Sequence, residues 1–160
     1  MPLSGRTARA LPLLVGLALL AGCGFVPMDP AGRRLALQVQ GDEVTVVVAP
    51  CKDFAITSVH VTDARTGTVL WDVRWPTASL QEVRLGDETQ FREARVHLAP
   101  SWRRSEQIDV QVGSDGEHDD GGWADAFSPA RLGAGLNGAS DFGYRTITRA
   151  ELARKGCSTR

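Results

Sequence analysis

An all-β fold follows from three observations. Apolar and polar residues alternate over several short runs. Turn residues separate those runs at intervals of roughly 8–12 positions, and only one stretch, near the C-terminus, carries helix start and stop signals. The expectation is an immunoglobulin-like or fibronectin-like antiparallel sandwich of seven or eight strands with a short C-terminal helix, occupying residues 34–160. Alternation gives each sheet one apolar and one wet face, so two sheets packed face to face bury what each must hide.

Residues 34–40 place Leu35, Leu37 and Val39 on one face, and residues 43–49 do the same with Val44, Val46 and Val48. Gly41-Asp42 between them suits a type II′ hairpin turn, because glycine takes the required φ freely. A third strand spans 55–64 and turns at Arg65-Thr66-Gly67. A fourth, 68–75, sets Val69, Trp71, Val73 and Trp75 on one face, read as core. Residues 81–85, 94–98 and 107–112 follow, punctuated by Pro76, Gly86-Asp87, Pro100-Ser101 and Gly113-Ser114. Residues 123–132 suit an edge strand that Pro129 ends. The Gly-rich 133–143 reads as a loose loop, and 144–148 as a last short strand. Gly133, Gly135 and Gly138 match a dinucleotide fingerprint in letters only, since they follow no buried parallel strand and open no helix. Thr148 and Glu151 form a capping-box pair for a helix over 149–155, with Gly156 placed to stop it.

Composition excludes several classes. The 160 residues carry 18 basic and 19 acidic side chains, a formal charge of −1, so no basic face for a nucleic-acid partner is expected. Apolar content of 42% and charged content of 23% are globular values, which argues against wholesale disorder. Three cysteines are too few for a disulfide-dense miniprotein and do not sit at zinc-ribbon spacing.

The N-terminus reads as a secretory signal. Arg6 and Arg9 precede an unbroken apolar run, residues 10–22. As a helix that run covers about 20 Å, short of a hydrocarbon core of about 30 Å. The arginines are not adjacent, which disfavours a twin-arginine signal. The run closes on Leu20-Ala21-Gly22-Cys23, which resembles the lipobox of bacterial lipoprotein precursors. The resemblance implies a diacylglyceryl group on the Cys23 sulfur and cleavage after Gly22. The chain then divides into a signal peptide (1–22), a lipidated tether (23–33) and the β domain (34–160). Two acyl chains suffice for stable anchoring, so the implied partner is the membrane and the implied place its extracytoplasmic face. The mature chain would carry 16 basic against 19 acidic residues, so electrostatics adds no pull toward anionic lipid. The whole layout resembles secreted lipoproteins of high-GC Gram-positive bacteria: lipobox, short tether, Ig-like strands, a cysteine near the second strand and a late T-x-x-E helix.

With Cys23 assigned to lipid, Cys51 and Cys157 remain. Export favours a bridge between them, with two free thiols or a metal pair as the alternatives. Asp115, Glu117, Asp119 and Asp120 form an acidic loop with Ca²⁺-binding oxygens but no EF-hand spacing, and a solvated turn is the alternative. His118, among them, does not make a zinc site alone. His60 and His97 lie opposite the apolar faces of their strands, and Ser58, Ser101, Ser105 and Ser114 lack a nucleophile motif. No catalytic residue is assigned and no cofactor is expected. Trp102, with Arg103 and Arg104 in a turn, and Trp123, beside the acidic loop, are the expected exposed ligand contacts. These readings give a non-catalytic binding or scaffold module of the cell envelope, meeting an envelope protein or glycan. Carbohydrate or cell-wall binding through Trp102 and Trp123 is the alternative, and a hydrolase the second alternative.

Overall fold

The computed structural model describes residues 35–51, 54–114 and 122–157. The segments expected to be a signal peptide and a lipidated tether with Cys23, and the acidic segment with Asp115, Glu117, Asp119 and Asp120, lie outside the described residues. The fold is an all-β sandwich of two five-stranded antiparallel sheets with one short C-terminal helix. Its strands are β1 (Leu35–Gln40), β2 (Glu43–Val48), β3 (Ile56–Asp63), β4 (Val69–Pro76), β5 (Glu82–Arg84), β6 (Phe91–Val96), β7 (Ile108–Ser114), β8 (Trp123–Phe127), β9 (Gly135–Gly138) and β10 (Thr146–Ile147), followed by the helix α1 (Arg149–Gly156). The first sheet has the order β10-β9-β1-β2-β5 and the second β6-β4-β3-β7-β8. The β1-β2-β5 layer facing β4-β3-β7-β8 is the immunoglobulin-type arrangement, to which β6, β9 and β10 are added.

Ten strands replace the seven or eight expected. One strand that the sequence did not place comes from the Gly-rich segment read as loose. Gly135–Gly138 is β9, paired antiparallel to β1 from Ala36↔Gly138 to Val39↔Gly135. Asn137 holds it there: its buried amide donates to the carbonyls of Leu37, Gly133 and Gly135. A Cβ on Gly138 would meet Phe142 at 2.4 Å, so glycine is required by close packing rather than by looseness. Strand β8 is an edge strand as expected but stops at Phe127, and Pro129 opens a 3-10 turn. At the β1–β2 hairpin Gly41 takes φ +58° while Asp42 stays at negative φ, the II′ pattern.

Between the sheets lies the main core. Leu35, Leu37, Val44, Val46 and Val48 from the first sheet meet Ile56, Val59, Val61, Trp71, Val73, Ile108, Val110 and Val112 from the second. Two positions of the β4 face expected in this core are corrected, the first being Val69 at the strand's start, which is 36% exposed. Trp75 is not core: it is 57% exposed and adopts φ +54°. Phe91 takes the space instead, packing edge-on to Trp71 with ring centroids 6.3 Å apart. The left-handed backbone at Trp75 turns its side chain out of the alternation that buries Trp71 and Val73.

The first sheet also departs from the one-wet-face expectation. Ala36, Val47 and Ala49 on its outer side are buried with Leu136, Phe142, Ile147 and Leu152 in a second cluster. Helix α1 supplies the cover. Its N-terminus has the expected capping box, with Thr148 accepting from the Glu151 N–H and Glu151 accepting from the Thr148 N–H. Hydrogen bonding from Arg145 and the Thr148 backbone holds the Glu151 carboxyl at about 2, so it stays ionised. Arg149 reaches Glu82 on β5. Cys157 at the helix end is bonded to Cys51, with Cα atoms 5.2 Å apart. No helix among the described residues is long and apolar enough to cross a membrane.

The bridge spans a sequence separation of 106 residues, for which the chain-entropy relation gives about 4–5 kcal/mol. Denaturant unfolding of the Cys51→Ser/Cys157→Ser double variant should fall short of wild type by up to that amount. Limited proteolysis should cut 149–157 before any strand of the second sheet. Equal stability and protection in the two proteins would show that α1 is held by packing alone.

Candidate functional site

The segment joining β6 to β7 builds the site. Pro100, with its fixed φ, starts a 3-10 turn over Pro100–Arg104, closed by the Trp102 N–H on the Ala99 carbonyl. Side chains three apart are eclipsed in such a turn. Ser101 and Arg104 therefore share the outer side while Trp102 points inward and is 5% exposed. Arg103 lies over the Trp102 ring, 4.5 Å from its centroid, and donates to the Asp42 carbonyl of the β1–β2 turn.

This overturns the expectation that Trp102 and Trp123 are exposed contacts. Trp102 belongs to the main core, where burying an indole stabilises more than leaving it in water. Trp123 is 8% exposed and stacks on Phe54, with ring centroids 3.7 Å apart and planes 11° from parallel. Neither presents a free aromatic face, and Arg103 is engaged by Trp102 and Asp42. Arg103 and Arg104 are both exposed, and Arg104 is the one of the two not held by Trp102 and Asp42.

Opposite Arg104 stands the β3–β4 hairpin loop. Asp63 organises it, accepting from the backbone N–H groups of Arg65 and Thr66 at 3.0 and 2.8 Å and from the Thr66 hydroxyl at 3.0 Å. Hydrogen bonding from the Ser105 hydroxyl, with that from Thr66 and Arg65, holds the Asp63 carboxyl below its ordinary value. Between loop and turn lies an open cup of about 230 Å³, lined by Asp63, Thr66, Thr68, Ser101, Arg104 and Ser105. It offers an ionised acid, a guanidinium and several hydroxyls, with Leu70 beneath. Sequence reasoning missed Asp63. The signal was present: an Asp three residues before Thr66-Gly67, where an Asx-type turn needs a side-chain acceptor.

The other candidates are committed elsewhere. His60 faces away from the core, its Nδ1 3.6 Å from the buried Asp72, which also pairs with Arg74 at 3.2 Å. His97 pairs with Glu88 at 2.6 Å. The two residual cysteines are bonded to each other, so neither is a free thiol or metal ligand. Among the described residues no cluster of three His, Cys, Asp or Glu side chains could hold a metal ion. No family model matches the chain, and no curated protein or solved structure does either.

Trp102 thus acts as the root of the site. Trp102→Ala should cost about 3–5 kcal/mol in urea unfolding, the range for deleting a buried indole. A loss under about 1 kcal/mol, typical of exposed positions, would contradict its burial.

Proposed function

We propose that this protein is a lipid-anchored extracytoplasmic binding module, held to the membrane by a diacylglyceryl group on Cys23 and carrying no catalytic machinery of its own. The observation that carries the reading is the Cys51–Cys157 bond. Structural disulfides persist where thiols are not kept reduced, which is where the signal-like N-terminus would deliver the chain. Polarity along the sandwich supports it further. Leu35, where the chain enters the fold, pairs with Val48 and lies at the same end as Cys51. The cup lies at the other end, beside the β1–β2 turn that Arg103 grips. Residues 24–34 can reach at most about 40 Å when extended. Such a tether would keep the entry end within that distance of the membrane without fixing which way the cup faces.

A second reading concerns the ligand. Asp63 accepts hydrogen bonds, Arg104 donates them and Ser101 does both, so the cup favours a neutral polyhydroxylated group over an anion that would meet Asp63. Its volume is below the roughly 300–1,000 Å³ of sites for drug-sized ligands, which suits a single sugar ring at the end of a glycan. This keeps the carbohydrate alternative but moves it from Trp102 and Trp123 to Arg104.

Two measurements test these statements separately. In the native host, wild type should partition into detergent and incorporate labelled fatty acid, and Cys23→Ala should do neither. An intact mass showing residue 23 unmodified would end the anchoring reading. Saturation-transfer NMR of the full chain in micelles should show a neutral methyl glycoside binding, with Arg104→Ala weakening it about tenfold or more, the cost of one charge-assisted hydrogen bond. Binding of inorganic phosphate alone, or equal signals in both proteins, would end the saccharide reading.

A further inference from the structure

Trp75 is the exposed tryptophan among the four. Trp71 is 0% exposed, Trp102 5% and Trp123 8%, against 57% for Trp75. It is also one of two non-glycine residues with positive φ among the described residues. Left-handed backbone is unfavourable for a non-glycine residue, and such strain persists where the surroundings dictate it. Here Pro76, paired with Phe91, fixes the chain immediately after Trp75. The result is a large amphipathic ring held out into solvent.

Its position in the sandwich follows from the register. Ser58 pairs with Arg74, which sets Trp75 level with the first residues of β3. The Ile56 N–H donates to the Leu80 carbonyl, and the Val48 N–H to the adjacent Gln81 carbonyl. Those bonds bring the start of β3 and the end of β2 to one end of the molecule. Leu35 pairs with Val48, so Trp75 lies at the end where the chain enters from residue 34. Across the β4–β6 ladder, between the pairs Arg74↔Glu93 and Pro76↔Phe91, stands the exposed Arg92.

We infer that Trp75 rests in the headgroup layer of the membrane to which the chain is tethered, and that it fixes which end of the sandwich faces the lipid. The inference rests on the anchoring reading above. Tryptophan prefers that layer because its ring is apolar and its N–H still finds acceptors there. Arg92 beside it has phosphate oxygens within its reach, while its stem lies along the interface. The tether alone does not orient the domain. A second contact at the entry end makes the attachment two-point, and effective concentration near the bilayer lets one weak contact count.

The test uses the full lipidated chain in phosphatidylcholine vesicles with acyl chains brominated near the headgroup. Since the other three tryptophans are buried, quenching reports on Trp75. Wild type should cosediment with the vesicles, shift its emission to the blue and lose a fraction of its fluorescence to bromine. Trp75→Phe should cosediment equally and lose that quenchable fraction, with an unchanged circular dichroism spectrum. Cosedimentation without quenching of wild type, or equal quenching of Trp75→Phe, overturns the inference while leaving the anchor intact. Failure of wild type to cosediment overturns the anchoring reading and the inference together. Trp75→Gly, which suits the left-handed backbone, provides a second folded variant should Phe disturb the turn.

Discussion

The first sheet has two apolar faces, and much of the remaining structure answers to that. Leu35, Leu37, Val44, Val46 and Val48 are satisfied by the facing sheet. Ala36, Val47 and Ala49 point the other way and would meet water. An eight-residue helix is too short to be stable by itself, so it forms only on such a surface. Everything at the C-terminus serves that seating: Leu152 as the buried residue, the Thr148–Glu151 caps, Arg149 on Glu82, and the covalent bond from Cys157 to Cys51. Cys51 lies just beyond β2, so the bond ties the helix directly to the strand whose outer face it covers.

At the opposite end the logic is loop geometry on a rigid base. The cup is made of two connections, which a sandwich places at its ends and leaves open to variation. What keeps these two in register is one buried ring below and one carboxylate above. Trp102 roots the 3-10 turn, so the eclipsed pair Ser101 and Arg104 cannot rotate away. Asp63 fastens the facing loop by accepting from the Arg65 and Thr66 N–H groups and the Thr66 hydroxyl. A site held in this way loses little freedom when a ligand enters, which favours weak ligands with few contacts.

The fold class, the hairpin at Gly41, the edge position of β8 and the capping box were legible because each has a local cause. Alternation of period two shows in the letters, and so do a glycine at a positive-φ turn and a Thr-x-x-Glu. What was not legible has tertiary causes. Strand β9 looks like a linker because its pairing rests on Asn137 reaching carbonyls on β1 and around itself, and its glycines on the approach of Phe142. Trp102 looks exposed because it precedes two arginines in a turn after a proline, and only the 3-10 turn decides which of three adjacent side chains goes inward. Trp75 looks buried because parity assigns it to the core face, and only the left-handed backbone before Pro76 breaks that parity.

The break at Trp75 carries a physical argument of its own. A glycine there would take φ +54° with no strain, and a smaller polar residue would hide no apolar surface from its proper place. Core filling does not require the indole, because Phe91 already occupies the space beside Trp71. The position therefore combines two costs, a strained backbone and an apolar ring in water, that the isolated domain does not recover. Both lie at the end where the chain enters, away from the polar cup. A strained, exposed aromatic at one pole and a hydroxyl-lined hollow at the other give the sandwich a direction.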